Sequence, residues 1–225
     1  MFKAHLSKLI YPLLILVFCF VAMKSLIGVP FYTSHDGFTH TARIAAYYDS
    51  MKSGPASSDG GQGGQFPAQW AKNFNGTLGS PIFVYSYPLV YMIGAGIHFL
   101  GIGYEDAFRL IIGAGYVLSG LAMYWWLKSR FQNLPAFVGT IFFLWTPFRF
   151  LDIYVRGALA ESFTYMFLPL ILLGIDQVFL AKKNVNWWWL LLAVSTIGML
   201  LGHNVVSAMF LPVAVLWTGV LFWTT

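Results

Sequence analysis

Pro81-Ile82-Phe83-Val84-Tyr85-Ser86-Tyr87-Pro88-Leu89-Val90-Tyr91-Met92-Ile93-Gly94-Ala95-Gly96-Ile97-His98-Phe99-Leu100-Gly101 is the stretch that decides how this chain is arranged. It lies in an uncharged run from Thr77 to Tyr104, long enough to cross a bilayer. It also carries Pro81, Pro88, His98 and four glycines between positions 94 and 103. If 82–101 crosses, Lys128, Arg130, Lys182 and Lys183 lie outside, with Arg149 and Arg156 inside. If it stays on the outer side, the assignments swap, and the basic residues of two short loops face the cytoplasm, as the positive-inside tendency prefers. The margin is four basic residues against two. It favours six true spans plus one juxtamembrane helix over 82–101.

Composition sets the broad class. Apolar residues make up 58% of the 225 and charged residues 9%, against roughly 45–50% and about 25% in soluble domains. Mean hydropathy is +0.69. This is the profile of an all-α, polytopic membrane protein with about six transmembrane helices and further juxtamembrane helices in a large first external loop. The net charge of +5 comes from basic residues that are scattered and mostly flank apolar segments, so nucleic acid is not an expected partner. Cys19 is the only cysteine and lies in the first apolar segment, which leaves no disulfide framework and no cysteine metal site.

The first helix is expected from about Leu9 to Val29, with Lys24 snorkelling to the outer interface. Its basic start, Lys3 and Lys8, belongs in the cytoplasm, which puts the next loop outside. A cleaved signal peptide is the competing reading, but no small-x-small site follows. Residues 30–105 form the external loop, interrupted by a flexible Gly/Ser-rich linker over 53–65. Further apolar runs follow at Leu110–Leu127, Leu134–Phe148, Ser162–Leu180, Trp187–Gly202 and Val205–Thr225. Asp176, Lys182 and Lys183 mark the far end of one span and its cytoplasmic anchor.

The candidate functional residues sit at the ends of these runs. If the chain turns helical after Thr33, then Asp36, His40, Arg43 and Tyr47 share one face at a membrane surface. The bland alternative is a capping box, Thr33-x-x-Asp36, in which Asp36 serves only the helix start. His35 is either a second ligand or a loop residue. Asp152, Arg156 and Glu161 interrupt an apolar region, where ionisable groups need a reason. Asp152 and Arg156, four apart, suit a helical ion pair. Glu161, five from Arg156, would align only if Gly157 breaks the helix. Arg156 alternatively suits a phosphate or pyrophosphate. His203 with Asn204 reads equally as a polar helix terminus or as part of a site. His98, in an apolar Gly-rich helix, reads as packed. No His/Cys pattern specifies zinc.

The order of these features resembles the GT-C superfamily of membrane glycosyltransferases, which includes protein O-mannosyltransferases, aminoarabinose transferases and oligosaccharyltransferases. The matching features are Asp36 early in the first external loop, the Pro81–Pro88 aromatic segment, and Asp152 or Glu161 in the second external loop. Val155-Arg156-Gly157-Ala158-Leu159-Ala160-Glu161, Leu168-Pro169-Leu170 and Leu201-Gly202-His203 look closest to bacterial membrane proteins labelled "6-pyruvoyl-tetrahydropterin-synthase-related". Nothing here resembles a soluble pterin enzyme. The likeness spans essentially the whole chain through short motifs, as the N-terminal module of a longer enzyme. One departure is a single Asp preceded by His, where several relatives carry Asp-Asp or Asp-Glu.

The resemblance implies sugar transfer from a polyprenyl-phosphate carrier to an acceptor on the outer face of a bacterial plasma membrane. Asp36 would be the catalytic base. His35, His40, Arg43, Asp152, Arg156, Glu161 and His203 would be substrate-binding candidates. A divalent metal, Mg2+ or Mn2+, would have Asp36 as its candidate ligand. Two other classes stay open. A transporter or lipid flippase predicts charges in mid-span and often an internal repeat, and neither is evident. A non-catalytic membrane scaffold predicts that Asp36, Arg156 and Glu161 matter only for folding or assembly.

Overall fold

A computed structural model describes residues 2–28, 31, 33–52, 66–76, 78–180 and 185–224, with side chains from residue 9 onward. The Gly/Ser-rich linker at 53–65 and the pair Lys182/Lys183 lie outside the described residues. Among those described there is no strand. The helices are α1 (Phe2–Met23), α2 (Gly37–Lys52), α3 (Ile82–Tyr85), α4 (Leu89–Phe99), α5 (Tyr104–Arg130), α6 (Asn133–Leu144), α7 (Pro147–Phe150), α8 (Leu159–Thr164), α9 (Phe167–Leu180), α10 (Val185–Gly202) and α11 (Asn204–Thr224). Leu9–Leu26, α5, Leu159–Leu180, α10 and α11 are each long and apolar enough to cross a membrane. A bent pair, Asn133–Leu144 with Pro147–Arg156, makes a sixth candidate span. The chain is a polytopic helical membrane protein.

Helix α4 answers the question posed by 82–101. Its 11 residues reach about 16 Å at 1.5 Å per residue, well short of a hydrocarbon core of about 30 Å. Pro81 and Pro88 explain the shortness. Each stands just before a helix start, where its missing N–H and fixed φ are tolerated, so the segment is cut into α3 and α4. Helices α2 and α4 pack on each other and on α5, at the end of the bundle reached by Met23 and Tyr104.

Two boundaries differ from expectation. Helix α1 stops at Met23 and tightens into a 3-10 turn over Lys24–Leu26, so Lys24 sits at the helix end rather than inside it. The run Leu134–Phe148 is not one straight span. Thr146 precedes a proline, which disfavours the α region there. Thr146 adopts φ −59°, ψ 132°, and the chain bends by 47° before continuing to Arg156.

Helix α5 is the hub, touching α1, α4, α6, α8 and α9. Small residues let the neighbours close in, as membrane helices require where apolar burial alone gives little drive. A Cβ at Gly115 would lie 2.7 Å from the Cα of Phe163. Tyr116 donates its hydroxyl to the Leu144 carbonyl at 2.7 Å, using a carbonyl left open at the end of α6.

At the end opposite Tyr104, Asp176 ties three spans together. Its side chain is fully buried and accepts hydrogen bonds from Trp126 Nε1 and Trp217 Nε1, both at 2.8 Å. Arg130 adds a bidentate contact through Nε and Nη2 while its guanidinium lies 4.7 Å over the Trp217 ring. Asp176 is thus a saturated junction of α5, α9 and α11. Removing one partner of such a buried pair leaves an uncompensated charge. Arg130→Ala is therefore expected to lower unfolding free energy in detergent by roughly 3 kcal/mol, read by SDS titration against wild type. A change below about 0.5 kcal/mol, the range of neutral surface substitutions, would refute the junction.

Candidate functional site

The site begins with backbone chemistry. The chain leaves α7 through a π-helical turn, Leu151–Arg156, and stops at Gly157 with φ 65°, ψ 36°. Glycine adopts this left-handed conformation without steric cost. The turn's last carbonyls therefore point out of the helix, unsatisfied from within it. The loop before α2 meets them: His35 N–H donates to the Val155 carbonyl at 3.0 Å, and Asp36 N–H to the Arg156 carbonyl at 2.7 Å. The loop before α2 and the 152–161 segment are thus clamped at one end of the bundle.

Asp36 occupies the N-cap position of α2, since its carbonyl accepts from His40 N–H at 2.9 Å. The side-chain cap comes from Ser34, whose Oγ accepts from Gly37 N–H at 3.2 Å. The expected Thr33-x-x-Asp36 capping box does not form, because the helix starts three residues later than that pattern requires. The half-exposed Asp36 carboxylate is left beside Arg156, which feels its charge.

Arg156 is the electrostatic centre. Its Nη1 donates to Asp152 Oδ1 at 2.8 Å and to Glu161 Oε2 at 2.7 Å. Both contacts use one nitrogen, leaving Nε and Nη2 outside these two bonds. Glu161 lies five residues on, and the left-handed break at Gly157 brings it back into reach. Asp152 is fully buried and also accepts from Ser162 Oγ at 2.8 Å. Glu161 accepts from the Tyr165 hydroxyl at 2.7 Å.

A cleft of about 680 Å3 opens beside this cluster. Arg156, Glu161, Tyr165 and His203 form its polar end, while Leu168 and a strip of α11 including Val206 and Phe210 form apolar walls. His203 links α10 to α11. Its Nδ1 accepts from Val206 N–H at 3.2 Å, capping α11, which leaves Nε2 to carry the proton of the neutral ring. Burial and the nearby Arg156 lower its pKa, against an opposing pull from Glu161. His203 is thus a polar helix terminus, and its side chain also lines the cleft.

A layer of rings above the cleft connects it to α2. Tyr87 stacks on His203 with centroids 4.7 Å apart and bonds Arg43. Arg43 Nη1 donates to the Tyr91 hydroxyl at 3.1 Å, and that hydroxyl lies 2.9 Å from His40 Nδ1. Arg43 can only donate, so the Tyr91 oxygen accepts from it, while the direction of the His40–Tyr91 bond is set by the His40 tautomer. Burial pushes the His40 pKa down to about 3, assisted by Arg43, His203 and Arg156.

The structure therefore gathers Asp36, Arg156, Glu161 and His203 at one place, with Arg43 linked through Tyr87. His35 is exposed on the loop and contributes its backbone. His40 and Asp152 are buried and do not line the cleft; they act behind the residues that do. The predicted stripe of α2 turns inward, with Tyr47 fully buried. His98 is packed as expected, stacked 3.8 Å from Tyr104. Tyr165 escaped the sequence reading, although its spacing of four from Glu161 was the available signal. Tyr87, Tyr91 and Ser162 had no local signal.

Arg149 was also missed. It is 4% exposed, donates Nη2 to Ser119 Oγ at 2.9 Å, and sits 5.1, 5.3 and 4.6 Å from the rings of Tyr116, Phe143 and Tyr165. These ring faces stabilise a cation that has no salt-bridge partner among the described residues.

No three His, Cys, Asp or Glu side chains converge as metal ligands among the described residues. Asp152 and Glu161 are already joined by the Arg156 cation, so the donor set beside Asp36 does not by itself fit a divalent metal. Compared with family models, with curated proteins and with solved structures, the chain finds no match in any of the three.

The buried neutral His40 gives a pH dependence with a definite sign. Its pKa is lowered on folding, so below about 6.5 the unfolded chain takes up a proton that the folded chain refuses until about pH 3. Stability is lost as pH falls through that window, by up to about 1.4 kcal/mol per unit. Between pH 7 and pH 5 wild type should lose about 2 kcal/mol more than His40→Gln, measured by unfolding in detergent. Equal acid sensitivity of the two would mean that His40 is not the group responsible.

Proposed function

We propose that this protein transfers a sugar from a polyprenyl-phosphate carrier to an acceptor at the outer face of the membrane. One observation carries the proposal: a half-exposed carboxylate, Asp36, is clamped beside an arginine that lines the polar end of a cleft with apolar walls. A cleft of that kind suits an amphiphile with an anionic head. The lipid chain runs along Leu168 and α11, and the phosphate sits at Arg156.

Arg156 holds the phosphate through Nε and Nη2 and stabilises the negative charge that grows as it leaves. His203 Nε2–H is the second donor at that end. The acceptor hydroxyl oxygen attacks the anomeric carbon. The bond from that carbon to the phosphate oxygen breaks, the electron pair leaves with the phosphate, and Asp36 takes the hydroxyl proton. Glu161 fixes Arg156, with Tyr165 fixing Glu161 in turn. Asp152, Ser162 and the His40–Tyr91–Arg43 chain hold this arrangement from behind.

The orientation rests on charge. We assign the end opposite Asp36 to the cytoplasm because Lys128 and Arg130 stand in the last turn of α5, beside its short connection to α6, where the positive-inside tendency counts most. A flippase needs charges along a path through the middle of the bundle, whereas the charged clusters here sit at its two ends.

Two experiments test the proposal. Arg156→Gln should weaken binding of undecaprenyl phosphate by about tenfold, the value of one charge-assisted contact. Asp36→Asn should keep that binding and lower transfer by at least about a hundredfold. Unchanged binding in Arg156→Gln, or full transfer in Asp36→Asn, would remove the assigned roles. Orientation is read in a Cys19→Ser background with single Gln132→Cys and Val155→Cys variants and a membrane-impermeant thiol reagent on intact cells; Gln132 is exposed and caps no helix with its side chain. Labelling at 155 and not at 132 is expected. The reverse pattern places the site in the cytoplasm and favours transport.

A further inference from the structure

A second groove lies at the end of the bundle opposite Asp36, with a volume of about 540 Å3 between α5, α9 and α10. Lys128 and Gln177 stand at its polar mouth, Trp187 and Trp188 flank it, and Leu170 and Leu173 line its apolar depth. From Gln177 to Leu170 the groove follows about 10 Å of α9, from interfacial tryptophans into residues suited to hydrocarbon. Its shape therefore matches a head and the upper part of an acyl chain.

The charge at this end selects the head. Among the described residues the only carboxylate here is Asp176, which is fully buried and saturated by Arg130 and two indoles. Lys128 is thus left without a countercharge, and its ammonium is positioned 5.4 Å over the Tyr124 ring. A basic mouth above an apolar slot between membrane helices fits an anionic lipid headgroup.

We propose that this groove binds an anionic glycerophospholipid of the phosphatidylglycerol type. The phosphate pairs with the Lys128 ammonium, the indole rings of Trp187 and Trp188 flank the glycerol region, and one acyl chain lies on Leu170 and Leu173. The site is separate from the cleft at Arg156 and does not depend on the transfer reaction.

The test is native mass spectrometry of the full chain, titrated in detergent with palmitoyl-oleoyl phosphatidylglycerol and with the matching phosphatidylcholine. Wild type should retain the anionic lipid about fivefold better, the effect of one lysine at a membrane surface. Lys128→Gln should erase that preference and leave phosphatidylcholine retention unchanged, while Lys128→Arg should keep it. Equal retention of both lipids by wild type overturns the proposal, as does a preference that survives in Lys128→Gln. Should Lys128→Gln fail to fold, tryptophan quenching of wild type in vesicles decides. Chain-brominated phosphatidylglycerol must quench more strongly than chain-brominated phosphatidylcholine, and equal quenching counts against the site.

Discussion

Two backbone hydrogen bonds hold the site together: His35 and Asp36 donate to the carbonyls of Val155 and Arg156. They exist because the helix after the Thr146–Pro147 bend ends in a π turn and a left-handed glycine, which turns its last carbonyls outward. A loop that would otherwise leave its own amides unsatisfied finds acceptors there. The same glycine permits the approach, since a Cβ at position 157 would meet Gly37 N at 3.1 Å and crowd Ser34. Without this clamp Asp36 would be a loop carboxylate and Arg156 half of an ordinary helical ion pair.

The two ends of the bundle treat buried charge differently. At Asp176 every acceptor position is filled by Arg130, Trp126 and Trp217, and the result is a rigid junction. At Arg156 the two carboxylates share one nitrogen of the guanidinium, and Nε and Nη2 stand outside those two bonds on a residue that lines the cleft. The first arrangement suits stability and the second suits a ligand. Arg149, lodged among three rings next to Asp152, adds positive charge behind the Arg156 cluster and so helps to balance the two carboxylates.

Much of the fold was legible in the sequence because it rests on local rules. Uncharged runs of the right length became spans, and prolines at 81 and 88 broke the one ambiguous run into helices too short to cross. The run Leu134–Phe148 belongs to a bent candidate span, with its break at Thr146, where the effect of the following proline outweighs continuous hydropathy. The candidate site was legible as a set of residues at span ends, and less so as an arrangement. Asp36, Arg156, Glu161 and His203 come together, whereas His40 and Asp152 are buried behind them. Tyr87 and Tyr91 carry no local mark of their role.

Sequence alone determined that this is a helical membrane protein, where its spans fall, and which ionisable residues stand at their ends. These follow from the cost of placing charge and open backbone in hydrocarbon, a cost paid residue by residue. Tertiary structure decided which of those residues meet. The pairing of Asp36 with Arg156, the return of Glu161 across Gly157 and the stacking of Tyr87 on His203 join positions up to about 120 residues apart in the chain. Such contacts depend on the geometry of a π turn and on the packing of helices around α5, and neither is written in any local pattern.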